Sequence, residues 1–116
     1  MQQCKQEESS EACLLRRQSA FCGVFTSPLR LRLLYVLGEG ERPVGELAGE
    51  LGVSLPHLSQ HLRVMRDQGC VLTRKEGRTI HYRLASAKIL EAARLIREML
   101  WEQIKEQEAA FAEQAG

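Results

Sequence analysis

Aromatic side chains are scarce in this sequence: three Phe, two Tyr and one Trp among 116 residues. A core must therefore come mainly from Leu, Val and Ala, which bury less surface per residue than aromatics. The length suits one domain, and a core this small is more easily stabilised when two chains share it. Long apolar runs are missing as well. None approaches the roughly 20 residues that a membrane span requires. The polar start, with Gln2, Gln3, Lys5, Gln6, Glu7 and Glu8, has no apolar stretch of the secretory kind. The expectation is a cytoplasmic protein with no membrane contact.

Other chemistry is missing too. Cys4, Cys13, Cys22 and Cys70 fit no zinc-finger spacing. In a cytoplasmic chain, reduced thiols are expected rather than structural disulfides. There is no nucleophile–base pair, no Gly-rich phosphate loop and no carboxylate pair in a plausible cleft, so an enzyme is excluded and no cofactor is required.

The charge is present but unevenly placed. The net charge is only +1, yet residues 54–83 hold Arg63, Arg66, Arg74, Lys75, Arg78 and Arg83 against Asp67 and Glu76, a local balance of +4. Residues 86–116 hold four basic and six acidic residues, a balance of −2. A basic patch in a near-neutral chain is a nucleic-acid footprint. A solvated surface reads equally well from charge alone.

The pattern along the chain supplies the rest. Residues 1–9 read as disordered, and residues 10–116 as one domain. A first helix is expected from about Ser10 to Phe25. Ser27 can cap a second, with Pro28 in its first turn, where a missing N–H costs nothing. Gly38 and Gly40 end it. Val44 to Leu51 reads as a short helix, Gly52 tolerates positive φ, and Ser54 caps the next helix. There Leu55, Leu58, Leu62 and Met65 are expected on the buried side, with Gly69 as the stop. Residues 71–84 alternate like two strands about Glu76-Gly77, a hairpin with a basic tip. Ser86 can cap a last helix, to about residue 112. Its stripe of Ile89, Leu90, Ala93, Ile96, Leu100 and Ile104 is too extensive for that helix to hide alone. Trp101 reads as packing in the same interface.

Short helix, Gly-containing turn and outwardly polar helix are the parts of a helix-turn-helix, here about residues 44–68. The expected fold is mainly α with a β-hairpin wing at 71–84, a winged helix-turn-helix. The second helix of such a motif enters a major groove and reads base edges near its N-terminus. The outward candidates are Ser54, His57, Ser59, Gln60, His61 and Arg63. Gln bonds bidentately to adenine, and Ser contacts several bases. Lys75 and Arg78 at the hairpin tip would meet the DNA backbone or a minor groove, setting affinity and its salt dependence. His57 and His61 are also at metal-ligand spacing, but DNA contact or a surface role is favoured. His81 alternates within the wing and reads as structural.

The arrangement resembles the ArsR/SmtB repressors. Pro28-Leu29-Arg30-Leu31-Arg32-Leu33-Leu34 is similar to their "P-x-R-L-x-I-L" opening. Val44 to Ala48, Ser59 to Arg66 and Gly77 to Leu84 resemble later blocks in order and spacing. The resemblance covers roughly residues 20–105. It implies a homodimer formed through the first and last helices, an operator in double-stranded DNA, and repression that an inducer relieves. Two metal sites implied by the family are missing. Pro43 and Gly45 stand where arsenic- or cadmium-sensing members carry cysteines, and the last helix has neither Asp nor His for a zinc site. Nor do the second and last helices carry the cysteines of persulfide-sensing members.

What remains is Cys4, Cys13 and Cys22, the candidate inducer or metal residues, while Cys70 reads as a small buried hydrophobe. Cys13 and Cys22 lie about 180° apart on one helix, so one helix cannot offer both to one ion. They could meet partner-chain cysteines, or Cys4 could fold back. Soft thiolates would favour arsenite or another thiophilic metal ion, or a redox or sulfur species. Incidental thiols are the open alternative. So is a winged-helix protein-interaction module that binds no DNA.

Overall fold

A computed structural model describes residues 3–115. Helix α1 spans Ser10–Cys22 and passes into a 3-10 turn at Gly23–Thr26; α2 is Pro28–Gly38, α3 Val44–Leu51, α4 Leu55–Asp67 and α5 Ala87–Ala115. Strands β1 (Arg42–Pro43), β2 (Val71–Glu76) and β3 (Thr79–Leu84) form one antiparallel sheet in the order β1-β3-β2. The fold is the expected winged helix-turn-helix, mainly helical.

Local signals set most boundaries. Ser9, Ser27 and Ser54 each accept a hydrogen bond from the backbone N–H three residues on, satisfying an orphan donor at a helix start. Gly52 closes α3 at φ 65°, a left-handed conformation in which a Cβ is penalised. The first helix is shorter than expected. It stops at Cys22, because residues 23–26 tighten into a 3-10 turn that buries Val24. The sheet is wider than the expected hairpin. Arg42 and Pro43 pair with Tyr82 and His81, and proline is tolerated there because β1 is an edge strand.

The core is aliphatic. Val24, Leu33, Leu37, Leu47, Leu51, Leu58, Leu62, Met65, Cys70 and Val71 are all buried together. Leu55 was expected among them, but it is exposed at the first turn of α4, before the helix reaches the core. Cys70 fills the packing place expected of it, and burial pushes its thiol up to about 11. Gly38 has a packing reason beyond ending α2. A Cβ there would lie 2.7 Å from Leu90 Cδ2, so α5 crosses close over the end of α2.

Of the segment expected to be disordered, residues 1 and 2 lie outside the described residues. Residues 3–9 form an arm against α1. No single helix among the described residues is long and apolar enough to cross a membrane.

Candidate nucleic-acid interface

Helix α4 has two unlike faces because its apolar residues recur at helical spacing. Leu58, Leu62 and Met65 face the core, leaving His57, Ser59, Gln60 and Arg63 exposed. Two of the sequence candidates have partners within the fold. The Ser54 hydroxyl caps α4 through the His57 N–H. His61 is half-buried, and its Nδ1 accepts from Arg30 Nε at 3.1 Å. His61 also meets His57 edge to face, ring centroids 5.0 Å apart. Its pKa is lowered, first by desolvation, then by the Arg30 and His57 charges. Arg30 is the residue that sequence reading missed. It sits in a recognisable motif, but its partner is 31 positions away and only folding joins them.

The wing sorts its cations into two groups. Arg74 donates to Glu41 at 2.6 Å and to Glu76 at 2.9 Å, tying β2 to the loop before β1. Arg74 accordingly holds the Glu41 carboxyl below its usual range. Arg42 is shared among Glu39, Glu46 and Glu50. His81, as expected, is structural, with its two ring nitrogens 3.6 Å from Glu41 and Glu76. Lys75 and Arg78, flanking the Glu76–Thr79 turn, are exposed and form no ion pair among the described residues; the same holds for Arg63. Arg63 on α4 and Lys75 and Arg78 at the wing tip thus remain available for a polyanion.

Away from this surface, a groove of about 760 Å³ runs between α2 and α5, lined by Phe25, Leu31, Tyr35, Ile96, Trp101 and Ile104. Leu95, Met99 and Leu100 on α5 and Leu14 and Leu15 on α1 are also exposed. Of the apolar stripe read from the sequence, Ile96, Leu100 and Ile104 are therefore open in the single chain, whereas Ala93 is buried, Ile89 packs on the core and Leu90 packs against Gly38.

The thiols separate in a way that their spacing did not show. Cys4 and Cys13 are paired as a disulfide, contrary to the expectation of reduced thiols, because the arm folds back on α1. Cys22 is free and exposed at the far end of α1 and does not join them. One Glu8 carboxylate oxygen and the two sulfurs lie within 4.8 Å of one another, a set that would suit a thiophilic ion only after the disulfide is reduced to thiolates. Arg16 grips that carboxylate through Nε and Nη2, both at 3.0 Å, which lowers the Glu8 pKa.

An exposed polar helix set against the core by a short helix and turn, with a β-wing beside it, defines a winged helix-turn-helix DNA-binding protein. Residues 27–72 match the family described as "Bacterial regulatory protein, arsR family". The solved structure of Rv0081 from Mycobacterium tuberculosis is 32% identical, covering 81% of this chain and 95% of that one, with a TM-score of 0.74. The chain belongs to the ArsR family of DNA-binding transcriptional regulators, which are not enzymes. A homodimeric winged helix-turn-helix domain, Mb0332 of Mycobacterium bovis, superposes with a TM-score of 0.77 at 26% identity, covering 88% of this chain and 95% of that one. Among curated relatives, a biofilm growth-associated repressor of Agrobacterium fabrum is 51% identical over 69 residues, 60% of this chain and 56% of that protein. The transcriptional activator HlyU of Vibrio cholerae is 45% identical over 60 residues, 52% of this chain and 56% of that protein. The chain thus matches little more than half the length of these relatives.

Proposed function

We propose that the protein is a homodimeric repressor that binds a partly palindromic operator and is released by a small thiophilic inducer. The observation that carries this is the exposed row His57, Ser59, Gln60 and Arg63 on α4, beside the wing cations Lys75 and Arg78, which no carboxylate among the described residues neutralises. Ser59 and Gln60 read bases in the major groove, and Arg63, Lys75 and Arg78 hold phosphates. The open stripe on α5, with Leu14 and Leu15 of α1, supports pairing of two copies. Two-fold symmetry of the protein would then be mirrored in the half-sites. With the Cys4–Cys13 bond reduced to thiols, the Cys4, Glu8 and Cys13 cluster is the place where an arsenite-like ion or a sulfur species would act.

Selection of duplexes from a random-sequence pool, followed by gel shifts at several salt concentrations, tests the reading. The expected result is a site with two related half-sites and an affinity that falls steeply with salt. A salt-independent interaction, or none with any duplex, would point to a protein-interaction module instead. A promoter carrying the selected site in front of a reporter then gives the sign of regulation. Lower output with the protein present supports a repressor, and higher output contradicts it.

A further inference from the structure

The arm of residues 3–9 has nothing apolar with which to pack except Cys4. Its other residues are Gln3, Lys5, Gln6, Glu7, Glu8 and Ser9. Besides the Ser9 cap on α1, three polar or covalent ties place it. Cys4 is bonded to Cys13, Glu8 is forked by Arg16, and the Gln3 carbonyl accepts from Arg16 Nη2 at 2.9 Å. The two sulfurs are unequal. Cys4 is exposed, whereas Cys13 is 3% exposed and stands outside the core cluster. Their Cα atoms are 5.4 Å apart, within the ordinary span of a disulfide, so pairing asks no movement of the backbone.

At the other end, α1 runs straight into the turn that begins at Gly23. The Gly23 carbonyl accepts from Arg30 Nη1 at 3.2 Å, while Arg30 Nε donates to His61 on α4. One guanidinium therefore joins the end of α1 to the base-reading helix.

From these observations we infer that Cys4–Cys13 is a reversible latch, opened by small thiols, whose state alters how α4 is held for DNA. The chemistry is thiol–disulfide exchange. A low-molecular-weight thiolate attacks the accessible Cys4 sulfur; the Cys4–Cys13 bond breaks, and Cys13 leaves with the electron pair and takes a proton from solvent. A second thiolate attacks the outer sulfur of the mixed disulfide, freeing Cys4, which is protonated in turn. Two small thiols become one small disulfide, and the protein disulfide becomes two thiols. Glu8 lies beside both sulfurs, and its charge is matched by Arg16, so the departing thiolate meets no net repulsion. Once open, residues 3–8 are held to α1, among the described residues, by the part-buried Arg16 fork on Glu8 and the Gln3 carbonyl bond, without the covalent tie. The effect on DNA rests on the proposed reading of the chain as an operator-binding regulator; the exchange itself does not.

The test equilibrates the full chain in glutathione buffers of graded reduced-to-oxidised ratio. Acid quenching, alkylation and mass spectrometry then give the state of each cysteine. Cys4 and Cys13 should pass together from linked to alkylated, with neither linked to Cys22 or Cys70. Across the same transition, affinity for a duplex selected from a random pool should change by about fivefold or more. Cys4→Ser should hold affinity at the value of the reduced protein at every ratio. The inference is overturned if Cys4 and Cys13 titrate independently, if they stay alkylatable in excess oxidised glutathione, or if they link while affinity stays flat. If neither form selects a duplex, the DNA-binding reading fails. The paired titration then still decides the exchange, and hydrogen exchange at the α4 amides decides the coupling.

Discussion

Arg30 Nε on α2 donates to His61 Nδ1 on α4 across 3.1 Å. A histidine that accepts from an arginine must be neutral at that nitrogen, so this contact belongs to the deprotonated ring. Desolvation first, then the Arg30 and His57 charges, lower the His61 pKa below its usual value of 6.5. The unfolded chain therefore binds a proton that the folded chain resists. Stability should fall as pH drops through 6.5 and level off below the folded-state value. His61→Gln should flatten that part of the curve in urea titrations at pH 7.5 and below. A profile that His61→Gln leaves unchanged would detach the titration from this contact.

The exposed face of α4 and the wing tip should separate in binding experiments. Gln60→Ala and Ser59→Ala should each weaken the selected site by about 1–3 kcal/mol and leave random DNA nearly unaffected. Arg78→Ala should weaken all duplexes alike and reduce the salt slope by about one. Arg74→Ala is the contrast. Arg74 is tied to Glu41 and Glu76, so its loss should leave the slope within error. Equal slopes for Arg78→Ala and the parent would remove the wing from the interface.

Association of two chains should depend on the stripe that the single chain leaves open. Leu100 is 49% exposed and Ile104 44% exposed on α5. The double change Leu100→Glu and Ile104→Glu should give a folded monomer in sedimentation, with helical circular dichroism retained and operator binding lost. If this variant still sediments as a dimer, the interface lies elsewhere.

Alkylation of the native protein at pH 8 should mark Cys22 and spare Cys70. Cys22 is exposed, whereas Cys70 is buried with its thiol pushed up to about 11, so almost no thiolate is present there. Labelling of Cys70 before unfolding would mean that the core opens locally.

Two glycines should respond oppositely. Gly38→Val places new atoms against Leu90, already 2.7 Å from a built Cβ, and should destabilise by about 1–3 kcal/mol. Gly49, within α3, meets nothing within 4 Å, so Gly49→Ala should stabilise by about 0.5–1 kcal/mol through helix propensity. Thermal melts of both variants check the signs.

The sequence alone determined what depends on neighbours in the chain. Serine caps, left-handed Gly52, the apolar spacing on α4 and the alternation in the wing are each written within a few residues, so the helix-turn-helix and its outward row were legible. Tertiary structure decided the rest, because those contacts join residues whose separation carries no local pattern. Arg30 finds His61 across 31 positions, and Arg74 finds Glu41 across 33. Glu8 and Arg16 meet because the arm reverses, and the same reversal pairs Cys4 with Cys13, where helical geometry alone set Cys13 apart from Cys22. A two-residue strand at Arg42–Pro43 has too few side chains for a period, and only its ladder with β3 makes it one.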